Sequence, residues 1–317
     1  MLKTSVVKGL KSGLETTWTL GKIIFPVTLI ITVLQYTPLL PWLFDRIAPF
    51  MSVLGLPGEA AIPLVLGNLL NLYAAIGGIL TLELTVKEVF IIAVMLSFCH
   101  NLLIETGVAL KSGVKLWIVL AVRIGLAIFA AVMINLLWQG GDDIARYGFV
   151  NAAGEDPNGI SAMFLTGLEK AFFGVLQLAI VVIPLMIGIQ ILKDLKWLDV
   201  FTGWMAPVTR MLGMRENTAL VLTAGLIFGL AFGAGVLLQA VKEDGVSQKD
   251  ATLAFIFLVA CHAVVEDTLI FAPLDVPILA LFLIRLGAAV LLTLIVGRIW
   301  NKIELSAKRK EYYYEAK

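Results

Sequence analysis

The stretch SFCHNLLIET covers residues 97–106 of this chain, and the stretch VACHAVVEDT covers residues 259–268. Each contains a Cys-His pair, and an acidic residue followed by a threonine comes five residues after the histidine. The chain has two histidines in all, and both lie in these stretches. Apolar segments share leucines and valines by chance, but they do not share cysteine, histidine, acid and threonine in one register by chance. The two stretches therefore mark an internal repeat.

The repeat extends from this motif along most of the chain. An offset of 162 residues relates the two motifs, and it also relates Arg123 to Arg285 and Trp138 to Trp300. Earlier in the chain the offset is 158, because the second copy carries four extra residues before its motif. The pairs at this shorter offset include Pro26 with Pro184, Pro49 with Pro207, Gly55 with Gly213, and Gly67 with Gly225.

The composition is that of a membrane protein. Hydrophobic residues make up 60% and charged residues 15% of the 317 residues, whereas soluble chains are about half apolar and about a quarter charged. Each copy has four apolar runs near the roughly 20 residues that a membrane-spanning helix needs, and one shorter amphipathic stretch that we interpret as an interfacial helix. The runs are 18–36, 60–82, 89–110, 116–138, 171–192, 218–241, 251–272 and 276–300, and the amphipathic stretches are 41–54 and 197–212.

The distribution of charge predicts how the two copies are oriented. Lysine and arginine are concentrated near both termini, whereas the linker 139–161 carries four acidic residues against one arginine. Because positive residues accumulate on the cytoplasmic side, both termini are predicted to be cytoplasmic and the linker extracytoplasmic. Each copy must then cross the membrane an odd number of times, so the copies are inverted. One run in each copy, the second or the third, should be a re-entrant hairpin or a broken helix.

These patterns predict an all-α polytopic membrane protein built from two inverted repeats, in the cytoplasmic membrane of a prokaryote. Each repeat has about three crossings, a re-entrant or broken helix and an interfacial amphipathic helix. The predicted divisions are a first membrane repeat at 13–138, an extracytoplasmic linker at 139–161, a second, inverted repeat at 162–300 and a charged cytoplasmic tail at 301–317.

The doubled motif is the first candidate for a functional site. An ionisable side chain in the middle of an apolar run costs roughly 2.5–3.5 kcal/mol on insertion scales, so a functional role is the default interpretation. Thiolate, imidazole and carboxylate suit iron, zinc and similar ions better than magnesium or calcium. Adjacent cysteine and histidine diverge by about 100° on a regular helix, so one helix presents both only if it is locally unwound. A structural alternative is a pair of neutral imidazoles that form hydrogen bonds between helices. The candidate metal ligands are Cys99, His100, Glu105, Cys261, His262, Glu266 and Asp267.

Two arginines form a second matched pair. Arg123 and Arg285 lie in the last apolar run of their copies, where a charged side chain must pair or face water. The simplest partners are the acids of the motif, Glu105 for Arg123 and Asp267 for Arg285, and each ion pair would fix a broken helix. In the competing interpretation, the arginines face a cavity and bind an anionic substrate while the acids and histidines relay protons.

Two asparagines break the symmetry of the second run. Asn68 and Asn71 of the first copy correspond to Leu226 and Gly229 of the second. Because amide side chains can contact a polar solute, both asparagines join the predicted substrate-binding residues. That set is Asn68, Asn71, His100, Glu105, Arg123, His262, Glu266, Asp267 and Arg285.

The layout and the matched motif resemble the Gate-domain proteins, also called the nucleoside-recognition domain family. That family includes the membrane core of ferrous iron transporters, concentrative nucleoside transporters and spore-maturation membrane proteins. The resemblance covers about residues 13–113 and 169–274 and the last helix of each copy. It implies a role in membrane transport or gating, with hairpin elements that meet at the centre. The chain contains no G-x-x-x-x-G-K-[ST] loop, so uptake powered by a nucleotide-binding domain is not carried over from the iron transporters.

We therefore predict a membrane transporter, not an enzyme, that moves a small polar solute by alternating access through a midplane site. The first substrate to consider is a divalent transition-metal cation, bound as cargo, and no other cofactor is predicted. A nucleoside or small organic anion is the alternative within transport, and a non-transporting membrane scaffold or assembly protein is the alternative of another class. The predicted partners are the lipid bilayer and the solute, with a homo-oligomer left open. The formal net charge of +1 gives no reason to expect nucleic acid.

Overall fold

The computed structural model of the protein describes residues 2–37, 39–111, 113–148, 159–230, 236 and 245–315. Within these ranges the regular structure is helical, and the β-type pairing described is one isolated bridge between Thr85 and Ile144. The predicted all-α class is confirmed. Parts of the predicted linker and of the run 218–241 lie outside the described residues.

The helices of the first repeat follow the predicted runs, with two of those runs interrupted. They are α1 (Leu2–Gln35), α2 (Leu39–Val53), α3 (Ala61–Leu69), α4 (Leu72–Ile79), α5 (Val86–Phe98), α6 (Leu102–Lys111) and α7 (Leu116–Leu137).

Several helices of the second repeat begin and end within one residue of the positions equivalent to those of the first repeat. The second repeat contains α8 (Ile160–Asp194), α9 (Trp197–Met211), α10 (Ala219–Phe228), α11 (Gln248–Ala260), α12 (Glu266–Leu269) and α13 (Ile278–Glu315). Both ends of α2 and α9 differ by the offset of 158 residues found in the sequence, and both ends of α5 and α11 differ by 162. The repeat seen in single residues is therefore a repeat of helices.

Five described helical segments are long and apolar enough to cross a membrane. In the first repeat these are α1, α5 together with α6, and α7, and the bent pair Trp42–Val53 and Gly58–Leu69 (87°) would add one more if it formed a single span. The second repeat contributes α8 and the first part of α13, and α11 with α12 stands where the first repeat has its middle crossing. The five segments are Leu2–Gln35, Val86–Lys111, Leu116–Leu137, Ser161–Asp194 and Ile278–Ile303. The chain is a polytopic membrane protein.

The first helices of the two repeats pack against each other in opposite directions. A Cβ atom on Gly9, near the start of α1, would lie 2.5 Å from Cα of Ile187, near the end of α8. A Cβ on Gly167, near the start of α8, would lie 2.8 Å from a side-chain methyl of Leu29, near the end of α1. Small residues at such positions let two helix backbones approach closely. Because α1 and α8 are equivalent helices, their antiparallel packing is the arrangement that inverted copies require.

The second run of the first repeat is a helical hairpin. A Cβ on Gly67 of α3 would lie 3.1 Å from that of Ala75 on α4, and a Cβ on Gly78 would lie 3.4 Å from Cα of Pro63. The two helices therefore lie side by side and run in opposite directions. At about 1.5 Å per residue, neither can cross a hydrocarbon core about 30 Å thick. The length and antiparallel packing of the pair fit the re-entrant element that an odd number of crossings would require.

The helices that lead into the two motifs start with side-chain caps. The Thr85 hydroxyl accepts a hydrogen bond from the backbone N–H of Glu88 (3.3 Å), and the Glu88 carboxylate accepts one from the N–H of Thr85 (2.7 Å). In the second repeat, the Ser247 hydroxyl accepts from the N–H of Asp250 (3.1 Å). These bonds satisfy N–H groups that a helix start leaves without partners.

The backbone groups the chain into two compact units. Unit 1 combines Met1–Ile104, Arg123–Trp197 and Val264–Ile284, and unit 2 combines Glu105–Val122, Leu198–Ala263 and Arg285–Lys317. Each unit takes segments from both repeats, and the divisions fall inside the two Cys-His-acid motifs. The predicted ranges 13–138 and 162–300 are the two repeats of the sequence. Because the units are groups of packed segments, they do not test those ranges.

Candidate functional site

Both motifs begin where a helix ends in the same unwound conformation. After α5, Cys99 has φ −141° and ψ 87°, and after α11, Cys261 has φ −148° and ψ 86°. The residues that follow the two histidines, Asn101 (φ 50°) and Ala263 (φ 38°), have left-handed backbone conformations. Residues other than glycine seldom adopt this conformation. Adjacent cysteine and histidine are therefore presented by unwound backbone, as their spacing requires.

An arginine satisfies the histidine carbonyl at each break. Nη2 of Arg123 donates to the carbonyl of His100, and Nη2 of Arg285 donates to the carbonyl of His262 (2.6 Å). Both arginines are 0% exposed. Because the interrupted helix offers no next turn, these carbonyls need a donor from elsewhere. The guanidinium groups stabilise the unwound backbone.

The residue after each histidine forms a backbone hydrogen bond with the preceding apolar run of its own repeat. The N–H of Asn101 donates to the carbonyl of Gly67 (2.7 Å), and the N–H of Ala263 donates to the carbonyl of Gly225 (3.0 Å). Gly67 and Gly225 are equivalent in the repeat, and a Cβ at either would collide with the side chain of a leucine in α5 or α11. The backbone of each helix break therefore packs directly against the backbone of a glycine, Gly67 or Gly225.

The two imidazoles have one orientation. Nδ1 of His100 lies 2.6 Å from the carbonyl of Leu96, and Nδ1 of His262 lies 2.8 Å from the carbonyl of Leu258. Since a carbonyl only accepts, Nδ1 carries the proton and donates. In the neutral ring the nitrogen lone pair is then on Nε2. The side chains are 6% and 2% exposed, so these lone pairs are presented inside the protein.

Each histidine faces an acid from the other repeat. In unit 2, Nε2 of His262 lies 3.4 Å from Oε1 of Glu105. In unit 1, a ring nitrogen of His100 and a carboxylate oxygen of Asp267 lie within 4.8 Å of each other. The sequence did not indicate this exchange, because each acid stands five residues after the histidine of its own motif. The ion pairs predicted between the arginines and these acids join residues of different units, and they stay predictions.

The thiol of Cys99 is a hydrogen-bond donor in this structure. Its Sγ lies 3.1 Å from Oδ1 of Asn68, whose Nδ2 donates to the carbonyl of Leu64 (2.9 Å). The second bond orients the Asn68 amide so that its oxygen faces the sulfur of Cys99. Because an amide oxygen can only accept, the sulfur must be the protonated donor. Cys261 is buried in unit 2. The atoms that face one another across the histidine–acid pairs are imidazole nitrogen and carboxylate oxygen.

The remaining polar residues of the hairpin have local roles. Asn71 caps α4, and its Oδ1 accepts from the backbone N–H of Ala74 (2.9 Å). Tyr73, which sequence reasoning missed, donates its hydroxyl proton to Oε1 of Glu266. A tyrosine in an apolar run gives little signal by itself, and its partner lies 193 residues further on.

The fold and this site define a class: a polytopic membrane protein of two inverted repeats, with a hairpin and broken helices that carry histidine–carboxylate pairs. The family model called Gate, described as nucleoside recognition, matches residues 17–113 and 175–272, one match in each repeat. The chain belongs to the Gate family. It is 58% identical over 310 residues to the protein described as "Uncharacterized membrane protein YvoD" of Bacillus subtilis (strain 168), which covers 98% of this chain and 99% of that protein. No solved structure matches the chain.

Proposed function

We propose that this protein is a secondary transporter that moves a small polar solute by alternating access, with a divalent transition-metal cation as first substrate. One observation carries the proposal: histidine–carboxylate pairs lie at the unwound breaks of helices in apolar runs, one in each unit. Inverted repeats with interrupted helices at the substrate site are the architecture of many secondary transporters. Buried ionisable groups in such runs mark ion or substrate pathways.

The donor chemistry suits a borderline metal ion. Imidazole nitrogen and carboxylate oxygen bind zinc at about 2.0–2.2 Å, which sets two tetrahedral ligands roughly 3.4 Å apart. The separation of 3.4 Å between His262 and Glu105 fits that spacing. Metal-binding histidines usually donate their other ring N–H to a carbonyl or carboxylate, as both Nδ1 atoms do here. With Cys99 acting as a thiol donor, the candidate ligands are nitrogen and oxygen, from which a transported ion can leave more readily than from a thiolate cage.

The test is metal binding and uptake by wild type and by the His100→Ala/His262→Ala double variant. We expect detergent-purified wild type to bind iron, zinc or manganese, and to be stabilised by about 2.7 kcal/mol at a metal concentration 100 times the Kd. The double variant should lose both the stabilisation and uptake into proteoliposomes. Glu216→Ala, which removes an exposed acid, should keep both. Wild type that binds no metal and is not stabilised by these ions would refute the metal proposal.

A nucleoside is the second candidate, because the matching family model is described as nucleoside recognition. Stabilisation by nucleosides with no response to metals would favour it. Absence of flux for metals, nucleosides and small organic anions alike would favour a membrane scaffold instead. We place the protein in the cytoplasmic membrane of a prokaryote, with both termini cytoplasmic.

A further inference from the structure

We propose that Tyr73 and Glu266 form a latch that holds the re-entrant hairpin of the first repeat closed, and that the second repeat has no equivalent latch. The inference rests on the proposed function, because a latch matters in a protein that alternates between two conformations. It concerns regulation of the transport cycle and does not depend on which solute is carried.

The latch joins the tip of the hairpin to the segment that carries a site acid. Tyr73 is the second residue of α4, directly after the turn of the hairpin, and Glu266 is the first residue of α12. The Tyr73 hydroxyl donates to Oε1 of Glu266, and both residues belong to unit 1. Asp267, the acid that faces His100, is the next residue. Movement of the tip away from α12 therefore requires this hydrogen bond to break.

The far end of α4 is anchored separately. Thr28 of α1 donates to the carbonyl of Gly77 (3.3 Å), and Gln35 of α1 donates to the hydroxyl of Thr81 (3.2 Å), just beyond α4. The hairpin thus has a base fixed to α1 and a tip fixed to α12 through Tyr73. This is the arrangement of an element that pivots at its base when the tip is released.

Neither member of the latch is present at the equivalent position of the other repeat. At the offsets of 158 and 162 residues, Ala231 stands in place of Tyr73 and Ile104 in place of Glu266. Alanine and isoleucine side chains cannot form a hydrogen bond. In a two-state protein, a contact made in one state shifts the population toward that state. A latch in one repeat therefore biases the protein toward the conformation in which the hairpin of that repeat is closed.

The test uses the two native cysteines as reporters of opening. Cys99 is hydrogen-bonded to Asn68 on the hairpin, so it becomes reactive when the hairpin moves, whereas Cys261 lies in unit 2. Purified Tyr73→Phe protein is treated with N-ethylmaleimide, and modification at each cysteine is followed by mass spectrometry. We expect the rate at Cys99 to rise roughly tenfold, equivalent to about 1.4 kcal/mol, with the rate at Cys261 unchanged. Tyr147→Phe, which alters a buried tyrosine in the linker, should leave both rates unchanged.

A second pair of variants covers the case in which Tyr73→Phe folds poorly. Glu266→Ile copies the residue of the first repeat and should accelerate modification of Cys99, whereas Glu266→Gln keeps an oxygen acceptor and should accelerate it less. Unchanged rates in Tyr73→Phe and Glu266→Ile would overturn the latch. So would equal acceleration at both cysteines with a lower Tm, since that shows general loosening. The assay contains no solute, so a failed metal-binding experiment leaves its outcome interpretable.

Discussion

At the scale of single residues, the two arginines show how an interrupted helix survives inside a membrane protein. Arg123 and Arg285 are fully buried and each donates to a histidine carbonyl at a break. A carbonyl without a donor costs more in lipid than in water, because no solvent replaces the lost bond. Each guanidinium group thus supplies the hydrogen-bond donor that a backbone carbonyl at the break would otherwise lack.

Removal of either guanidinium should destabilise the protein by a similar amount. We expect Arg123→Gln and Arg285→Gln each to lower the free energy of unfolding by about 2 kcal/mol, the typical loss for a hydrogen bond to a charged group. Thermal unfolding in mild detergent measures the effect. Arg146→Gln, which changes an exposed linker residue, should stay within about 0.5 kcal/mol of wild type. Losses no larger than that of the linker variant would show that the carbonyl contacts do not matter.

The sequence located the chemistry of the site but not its pairings. The unwound backbone was predictable, because adjacent Cys and His cannot share one face of a regular helix. The carbonyl partners of the arginines were not, because a sequence pattern shows side-chain charges and not backbone atoms that have lost their partners. The pairing of His262 with Glu105 was hidden for a similar reason, since spacing along one run shows nothing about contacts to another.

At the scale of elements, the antiparallel pair of α1 and α8 depends on the absence of side chains at a few positions. The closest approach is at Gly9, where a Cβ would lie 2.5 Å from the backbone of Ile187. A backbone atom cannot rotate away as a side chain can, so any added atom must move one helix.

Gly9→Ala should therefore lower the free energy of unfolding by about 1–3 kcal/mol, the usual range for overpacking. Gly188→Ala is the matched control, because Gly188 lies beside Ile187 on α8 but a Cβ there meets nothing within 4 Å. That control should be neutral or slightly stabilising, since alanine favours helix by about 1 kcal/mol over glycine. Tm values in detergent decide the matter, and equal effects of the two substitutions would argue against close packing at Gly9.

The hairpin shows how far elements could be predicted. Charge and the odd number of crossings required an interrupted run, but they left the second and third runs equally eligible. The structure interrupts both in the first repeat: α3 and α4 form the hairpin, and α5 and α6 share one span with a break. Asn71 was the available signal, because asparagine inside an apolar run is a favoured helix cap. The sequence analysis named it as a substrate-binding residue, which stays a prediction, and did not use it as a cap.

At the scale of the whole molecule, we predict that both termini lie on the cytoplasmic side of the membrane, because lysine and arginine are concentrated near both. We expect the exposed Asp142→Cys to react with a membrane-impermeant maleimide in intact cells, and the exposed Lys3→Cys to react only after the membrane is permeabilised. The native cysteines are buried and give little background. The opposite labelling pattern would reverse the predicted orientation, and labelling of both positions in intact cells would contradict the rule of positive residues inside.

The repeat was readable from the sequence along its length, but the grouping of its parts was not. Unit 1 and unit 2 each combine segments of both copies, because helices that pack together need not be neighbours in sequence. Similarity between copies reveals which segments are equivalent. It does not reveal which of them touch.

The exchange of acids between the two copies bears on the origin of the protein. His262 of the second copy meets Glu105 of the first, and His100 of the first meets Asp267 of the second. Each pair takes one residue from each copy, so a single copy on its own can form neither pair. An ancestral gene that encoded one copy would have needed two chains, inserted in opposite directions, to assemble the same chemistry. With both copies in one chain the partners are always present together, and the two halves can carry different residues at equivalent positions, as Tyr73 and Ala231 do.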